Sequence, residues 1–317
     1  MRYLIIALLT FIVPQITWAG DELERPKRTI KIASGSVVGV YYNLANAICQ
    51  EIEKQSNDYN CVAVRTGGSE KNMQLLQDRN VDFAIIQSDI LNKYYEPTNE
   101  LEHNIPFKNL RNVFNLFDEA MAIMVRTDSD IRTISDLKGR KIYAGKLGSG
   151  SIFAYNRLMQ SCDIDSCVSH LKFDIKNAGK ALCNNNIDAV IFMGAHPNAF
   201  THEVANSCDV KLLNISEANL YKVLQSSLYI ASAIPGDFYM GVNEPVNTVG
   251  TSATMVTRED LEDEIVKLVV QVTLDDFEDI KQYHPVLASM DKNKLFVESK
   301  KIPLHDAVAE FRNNIAN

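Results

Sequence analysis

The 317-residue chain lacks the spacings that announce most cofactor and metal chemistries. Neither C-x-x-C nor H-E-x-x-H occurs, so no zinc site is expected. G-x-x-x-x-G-K-[ST] and G-x-G-x-x-G are also missing, which excludes a P-loop and the dinucleotide fingerprint, and no cofactor is expected. G-x-S-x-G is absent too, because Gly148-Ser149-Gly150 does not have its spacing; this argues against an exported α/β hydrolase. A Ser149–His196 pair assembled by the fold is the one route to covalent catalysis that the sequence leaves open. Basic residues are few: 32 Lys and Arg against 40 Asp and Glu give a net charge of -8, and neither a nucleic-acid nor an anionic-membrane surface is expected. Long apolar runs are lacking as well. The longest, Leu4 to Val13, is about half of the ~20 residues a membrane-spanning helix needs.

That short run has a different use. Arg2 precedes it, and Thr17-Trp18-Ala19 reads as a small-residue cleavage site, so residues 1–19 are expected to form a signal peptide cleaved near Ala19, with the mature protein in the periplasm. An uncleaved anchor is the competing reading. Cleavage removes Arg2 and the sole tryptophan, Trp18, leaving 31 basic against 40 acidic residues. No cysteine follows the cleavage region, so a lipid anchor is not expected. Export places the six cysteines in an oxidising compartment, where an even count favours disulfides. Their spacing favours Cys49 with Cys61, Cys162 with Cys167 and Cys183 with Cys208, buried free thiols being the alternative.

With 46% hydrophobic and 23% charged residues, the chain is long and apolar enough for two compact lobes. Short β-type runs alternate with longer helical patterns, the signature of an α/β fold with helix-covered sheets. Thr29–Ala33, Cys61–Arg65 and Val81–Ile86 read as strands, each followed by a small polar turn and a helix. A second series starts after Pro106, with strands at 110–117, 120–126, Lys141–Ala144 and Ala189–Phe192. Leu228–Ile234 and Thr248–Val256 are again β-rich, and Glu259–Leu274 and Leu304–Ile315 are amphipathic. The expected domains are lobe I from 28–117 and 228–317, a discontinuous unit, and lobe II from 118–227.

Four turns at strand ends offer glycine and serine ahead of a helix, and glycine admits close backbone approach while a helix N-terminus favours an anion. The same residues also serve as ordinary turn and N-cap residues. Ligands in open α/β sheets bind outside the carboxyl ends of the strands, so a cleft between the two sheets is the expected site.

The segments Ser34 to Tyr42, Thr66 to Asn72 and Val81 to Asp89 resemble the N-terminal half of the TAXI-type solute-binding proteins of TRAP (tripartite ATP-independent periplasmic) transporters. Asp136 to Gly139, Gly148 to Ser151, His196-Pro197, Ile234-Pro235 with Tyr239, Val249 to Thr251 and Tyr283 to Pro285 continue the resemblance in order over most of the mature chain. Two departures are Val37-Val38, where the family is richer in glycine, and Lys146, where a neutral residue is expected. The resemblance implies a two-lobed periplasmic binding protein fold of type II-like form with its ligand in the interdomain cleft. It implies no enzyme, but a monomeric receptor that hands a small organic acid such as glutamate, glutamine or a dicarboxylate to ion-driven permease subunits. A sensory binding domain would share every pocket residue.

The candidate ligand contacts are Ser36, Tyr42, Gly68, Ser69, Gln87, Ser88, Lys146, Ser149, Gly150, Ser151 and His196. Tyr42 reads either as a pocket wall or as a helix-face core residue. Ser69 reads as a cap, a ligand donor or both. Asp89 is expected to cap its helix rather than meet an anion, which it would repel. Lys146 is expected either to reach a distal acid group or to point into solvent, and a lone His196 is as readily a packed residue as a contact.

Overall fold

The computed structural model describes residues 26–37, 39–96, 105–164, 177–226, 228–297 and 301–315. The expected signal segment lies outside them. Among the described residues no helix is long and apolar enough to cross a membrane.

The chain begins with two strand–helix units and a third short one: β1 (Arg28–Ala33), α1 (Val40–Gln55), β2 (Tyr59–Val64), α2 (Ser69–Gln77), β3 (Phe83–Gln87) and α3 (Ser88–Tyr95). A long strand, β4 (Leu110–Arg126), then leads to β5 (Ile142–Tyr143), α4 (Gly150–Ser161), α5 (Ala178–Cys183), β6 (Ala189–Gly194), α6 (Ala199–Ser207), β7 (Val210–Leu212) and α7 (Glu217–Leu224). β8 (Ile230–Ile234) and a second long strand, β9 (Val246–Arg258), bring the chain back to α8 (Asp263–Asp275), α9 (Phe277–Lys281) and α10 (Asp306–Ile315).

These strands join one curled mixed sheet in the order β2-β1-β3-β9-β4-β6-β5, with β7 on β4 and β8 on β9. β1 pairs in parallel with β2 and β3, whereas β4 and β9 run antiparallel to each other from Leu110 opposite Arg258 to Ala120 opposite Gly250. The two strands expected at 110–117 and 120–126 are therefore one. Register shifts between Asn112 and Phe114 and between Asn115 and Phe117 bend β4 without ending it, and the intervening Asp118 and Glu119 keep their strand pairs.

Helices cover the sheet because their apolar positions repeat at helical spacing. α1 buries Val40, Leu44, Ile48 and Ile52, four residues apart each time, and α8 buries Val266, Val269, Val270 and Thr273. These two helices and α9 form one apolar layer over the first half of the sheet, with Ile30, Ile32, Phe83, Ile85 and Phe114. Met73, Leu76, Ile86 and Ile90 fill the other face. The second half is built the same way around Met121, Ile123, Tyr155, Leu158 and Ile191 on one side and Met124, Val190 and Val204 on the other.

Residues 229–249 pack with that second half: Tyr229 and Val249 join its first layer, and Ile234, Tyr239, Val242 and Val246 its second. This departs from the expected return to lobe I at 228. The reason is that β8 pairs only with the early part of β9, Val246–Gly250, ahead of the stretch of β9 that meets β3.

Cys49–Cys61 ties α1 to β2, and Cys183–Cys208 ties the end of α5 to the end of α6, as the spacing suggests. Cys162 is a buried free thiol; its expected partner, Cys167, lies outside the described residues. The Cys49–Cys61 bridge closes 12 residues. Replacing both cysteines with serine is expected to lower stability by roughly 3 kcal/mol, read as a shift of the denaturant midpoint at unchanged slope.

Candidate ligand-binding site

A cavity of about 220 Å³ lies where the two halves of the sheet meet, and both contribute to its lining. Its residues come from the turns that follow β1, β2 and β5, from the ends of β3 and β6, and from Glu119 in the middle of β4. Helices start at these places. α1 begins after Gly39, α2 after Gly68 and α4 after Ser149, and all three residues line the cavity together with Val40, Ser69 and Gly150, the first residues of those helices. Neither α1 nor α2 has a side chain capping its first turn. A helix of this length presents unpaired N–H groups and about half a positive charge at its start, so the cavity is a place where several positive ends converge.

Glycine makes that convergence possible. Gly68 has φ +117, and a Cβ built on it would lie 3.6 Å from the Cα of Ser149. The turn before α2 thus touches the turn before α4 across the cleft. Gly150 is tighter still: a Cβ there would fall 1.4 Å from Oε1 of Gln87.

Eight of the eleven expected contacts line the cavity: Ser36, Gly68, Ser69, Gln87, Lys146, Ser149, Gly150 and Ser151. Several of their hydroxyls are already engaged. Ser69 Oγ accepts the N–H of Gln87 at 3.1 Å, Ser149 Oγ caps α4 by accepting from Ile152, and Ser151 Oγ accepts the N–H of Met193 at 2.9 Å. As acceptors these serines hold the turns to the strand ends, and the Ser69 and Ser149 hydroxyl protons join the backbone N–H groups as donors for a ligand. Lys146 is exposed at the cavity lining.

Three expected contacts are placed elsewhere. Tyr42 is half-buried off the cavity, and its neighbour Tyr41 lines it, because one residue along a helix turns the side chain by about 100°. Ser88 Oγ lies 2.7 Å from the hydroxyl of Thr251 and accepts the N–H of Ser252, tying α3 to β9. His196 is packed between Tyr239, whose hydroxyl is 2.5 Å from Nδ1, and the Ala120 carbonyl, 3.1 Å from Nε2. The carbonyl accepts, so Nε2 carries the proton and Nδ1 receives the Tyr239 hydroxyl. Burial pushes the His196 pKa down to about 4, partly offset by that carbonyl, so the ring is neutral at pH 7. With Tyr239 and the Ala120 carbonyl on its two ring nitrogens, and Ser149 Oγ capping α4, the two side chains are not hydrogen-bonded as a nucleophile–base pair.

Sequence reasoning missed Glu119 and Tyr41. Glu119 is 4% exposed, and Oε2 accepts from Nε2 of Gln87 at 2.5 Å. Burial raises its pKa to about 8; the Gln87 and Tyr41 contacts pull the other way, and Asp89 and Asp118 add to the rise. The carboxyl is thus protonated at neutral pH. The Tyr41 hydroxyl is buried beside Glu119 and Ser69 without a well-formed hydrogen bond. Phe192, Phe200 and Met193 complete an apolar wall, with the Phe192 and Phe200 ring centroids 5.2 Å apart. No periodicity marks Glu119, since it is one acidic residue beside Asp118 in a strand.

Asp89 does not cap α3 through a distant N–H. Its Oδ1 accepts from its neighbour Ile90, and Oδ2 accepts the Tyr229 hydroxyl at 2.9 Å, joining the first half of the molecule to the second. Burial raises its pKa to about 6 despite these bonds.

The NMT1-like family profile matches residues 32–311. The chain belongs to the NMT1-like family. This is a family of solute-binding proteins. Solved structures agree on the fold. A Streptococcus mutans protein described for glutathione import via GshT and the cystine ABC importer TcyBC superposes with a TM-score of 0.53 at 11% identity, covering 87% of this chain and 100% of its own. XAC2383 from Xanthomonas citri, bound to chloride ion, gives 0.51 at 10% identity, covering 91% and 96%. A TctC solute-binding protein from Polaromonas gives 0.50 at 15%, covering 92% and 95%. The NMT1-like chain therefore has the two-lobed α/β fold of periplasmic solute-binding proteins.

Proposed function

We propose that this NMT1-like protein is the extracytoplasmic receptor of a TRAP-type transporter, of the TAXI kind. Residues 1–19 direct its export and are cleaved near Ala19. The mature protein, a monomer, closes on a small organic acid and passes it chemically unchanged to ion-driven permease subunits. Glutamate or glutamine, a C4-dicarboxylate and a 2-oxo acid are the candidate solutes. Residues 28–117 and 251–315 form one lobe and 118–250 the other, a division that moves the return point to follow the apolar layers.

One observation carries the reading: the starts of α1, α2 and α4 converge on a cavity between the two halves of the sheet, with uncapped first turns on α1 and α2. A carboxylate placed there gains several backbone hydrogen bonds from preorganised donors and loses little conformational entropy in doing so. Mass spectrometry of the small molecule released when natively purified protein is denatured tests it directly. Release of a carboxylic acid that rebinds unchanged supports the reading; release of nothing, with no carboxylate bound in calorimetry, ends it.

Lys146 is exposed at the lining, which supports a role for it in meeting a second acid group. Lys146→Ala is expected to weaken binding of a dicarboxylate about tenfold, while a monocarboxylate analogue loses little. Equal affinities of variant and wild type for both would return Lys146 to the solvent.

A further inference from the structure

We propose that Glu119 and Gln87 form an ammonium-recognising subsite, so that the solute is an α-amino acid rather than an oxo, hydroxy or plain dicarboxylic acid. The inference rests on reading the cavity as the solute site and adds which group its Glu119 side selects.

The polarity of the Gln87 side chain supports it. Its Nε2 donates to Glu119 at 2.5 Å, while its Oε1 lies against Gly150, the first residue of α4, and has no hydrogen-bond partner. One carboxamide thus has its donor on the carboxyl and its acceptor at a positive helix end. An α-amino acid has the same polarity over a similar span, with its ammonium beside its carboxylate. Glu119 would take the first and the helix starts the second.

The surroundings of Glu119 favour a cation and disfavour a carboxylate. Tyr41 from α1, Asp89 from α3 and Asp118 from its own strand are the titratable groups that act on it most strongly, and none is positive. Among the described lining residues the other charged one is Lys146, which is exposed. A buried acid with no counter-charge keeps its proton. An arriving ammonium supplies the counter-charge, so the Glu119 proton leaves to the buffer and the ligand's amine keeps all of its own.

The test uses the mature full chain and two probe sets: the protein L-amino acids, and the 2-oxo acids with the same side chains together with succinate and glutarate. Thermal shift selects the best pair, and calorimetry at pH 6.5 in buffers of different ionisation enthalpy measures affinity and proton exchange. The expected result is an amino acid bound at least about tenfold more tightly than its oxo counterpart, with release approaching one proton. Glu119→Gln should shrink both the preference and the release. Should that variant fail to fold, the proton count on the wild-type protein decides alone. Oxo or dicarboxylic acids bound as tightly as amino acids, or binding without proton release, overturn the ammonium subsite and leave the receptor reading standing. Binding of no probe from either set overturns both.

Discussion

Replacing Gly150 with alanine is expected to weaken solute binding by roughly tenfold to a hundredfold while lowering the melting temperature of the ligand-free protein by only a few degrees. The new Cβ would land 1.4 Å from Gln87 Oε1 and 2.4 Å from its Cδ, so the Gln87 side chain must move. Moving it breaks the bond to Glu119. A lost hydrogen bond to an acid group at the cavity lining gives the stated range. The fold loses that buried bond too, at a cost of about 1–2 kcal/mol, partly offset because Gly150 is the first residue of α4 and alanine is the better helix former. Gly148 is the control. Its φ of +82 makes alanine strained there, yet a Cβ would meet nothing within 4 Å, so Gly148→Ala should cost about 1 kcal/mol of stability with a smaller loss of affinity. Calorimetry and thermal melts on the two variants separate the effects; full affinity in Gly150→Ala would show that the Gln87–Glu119 bond is not needed for binding.

The second large effect is on pH dependence. Glu119 titrates near 8 in the folded protein, against 4.5 ordinarily, because of burial. Between these values the native state holds a proton that the unfolded chain has released, so stability falls as pH rises through the window and levels off above pH 8. The full span corresponds to an effect on the order of a few kcal/mol. Asp89, near 6 against 3.8, acts in the same direction at lower pH. His196, near 4 against 6.5, acts oppositely, since acid protonates the unfolded ring and not the buried one. Their windows overlap below pH 6.5, which leaves the range from pH 6.5 to 8 to Glu119. Ligand-free wild-type protein should therefore melt at a lower temperature at pH 8 than at 6.5, and Glu119→Gln should remove most of that difference. Equal slopes in the two proteins would mean that Glu119 is ionised in the empty cavity.

Much of the fold was legible along the chain. The helical spacing of Val40, Leu44, Ile48 and Ile52 and the continuous apolar run Phe83–Ile86 each occur within a short window, and local windows are where periodicity speaks. Cys49–Cys61 and Cys183–Cys208 were equally legible, since each joins consecutive elements. The glycine- and serine-bearing turns at strand ends located most of the cavity for the same reason.

What was not legible depends on which distant segments meet. The continuity of β4 through Asp118 and Glu119 comes from its pairing with β9, more than a hundred residues later, and not from any apolar alternation of its own. That pairing turns an ordinary acidic residue into a buried carboxyl facing Gln87, and it places Tyr229 against Asp89. Likewise, the choice between Tyr41 and Tyr42 rests on the rotational setting of α1, which packing against α8 and the sheet decides. The sequence by itself determined the α/β alternation, the local disulfides and the polar turns, because these rest on propensities and contacts within a few tens of residues. Only the tertiary structure decided the charge inside the cavity, because desolvation of Glu119 and the approach of Gln87 to Gly150 exist only once the two halves of the sheet enclose the space between them.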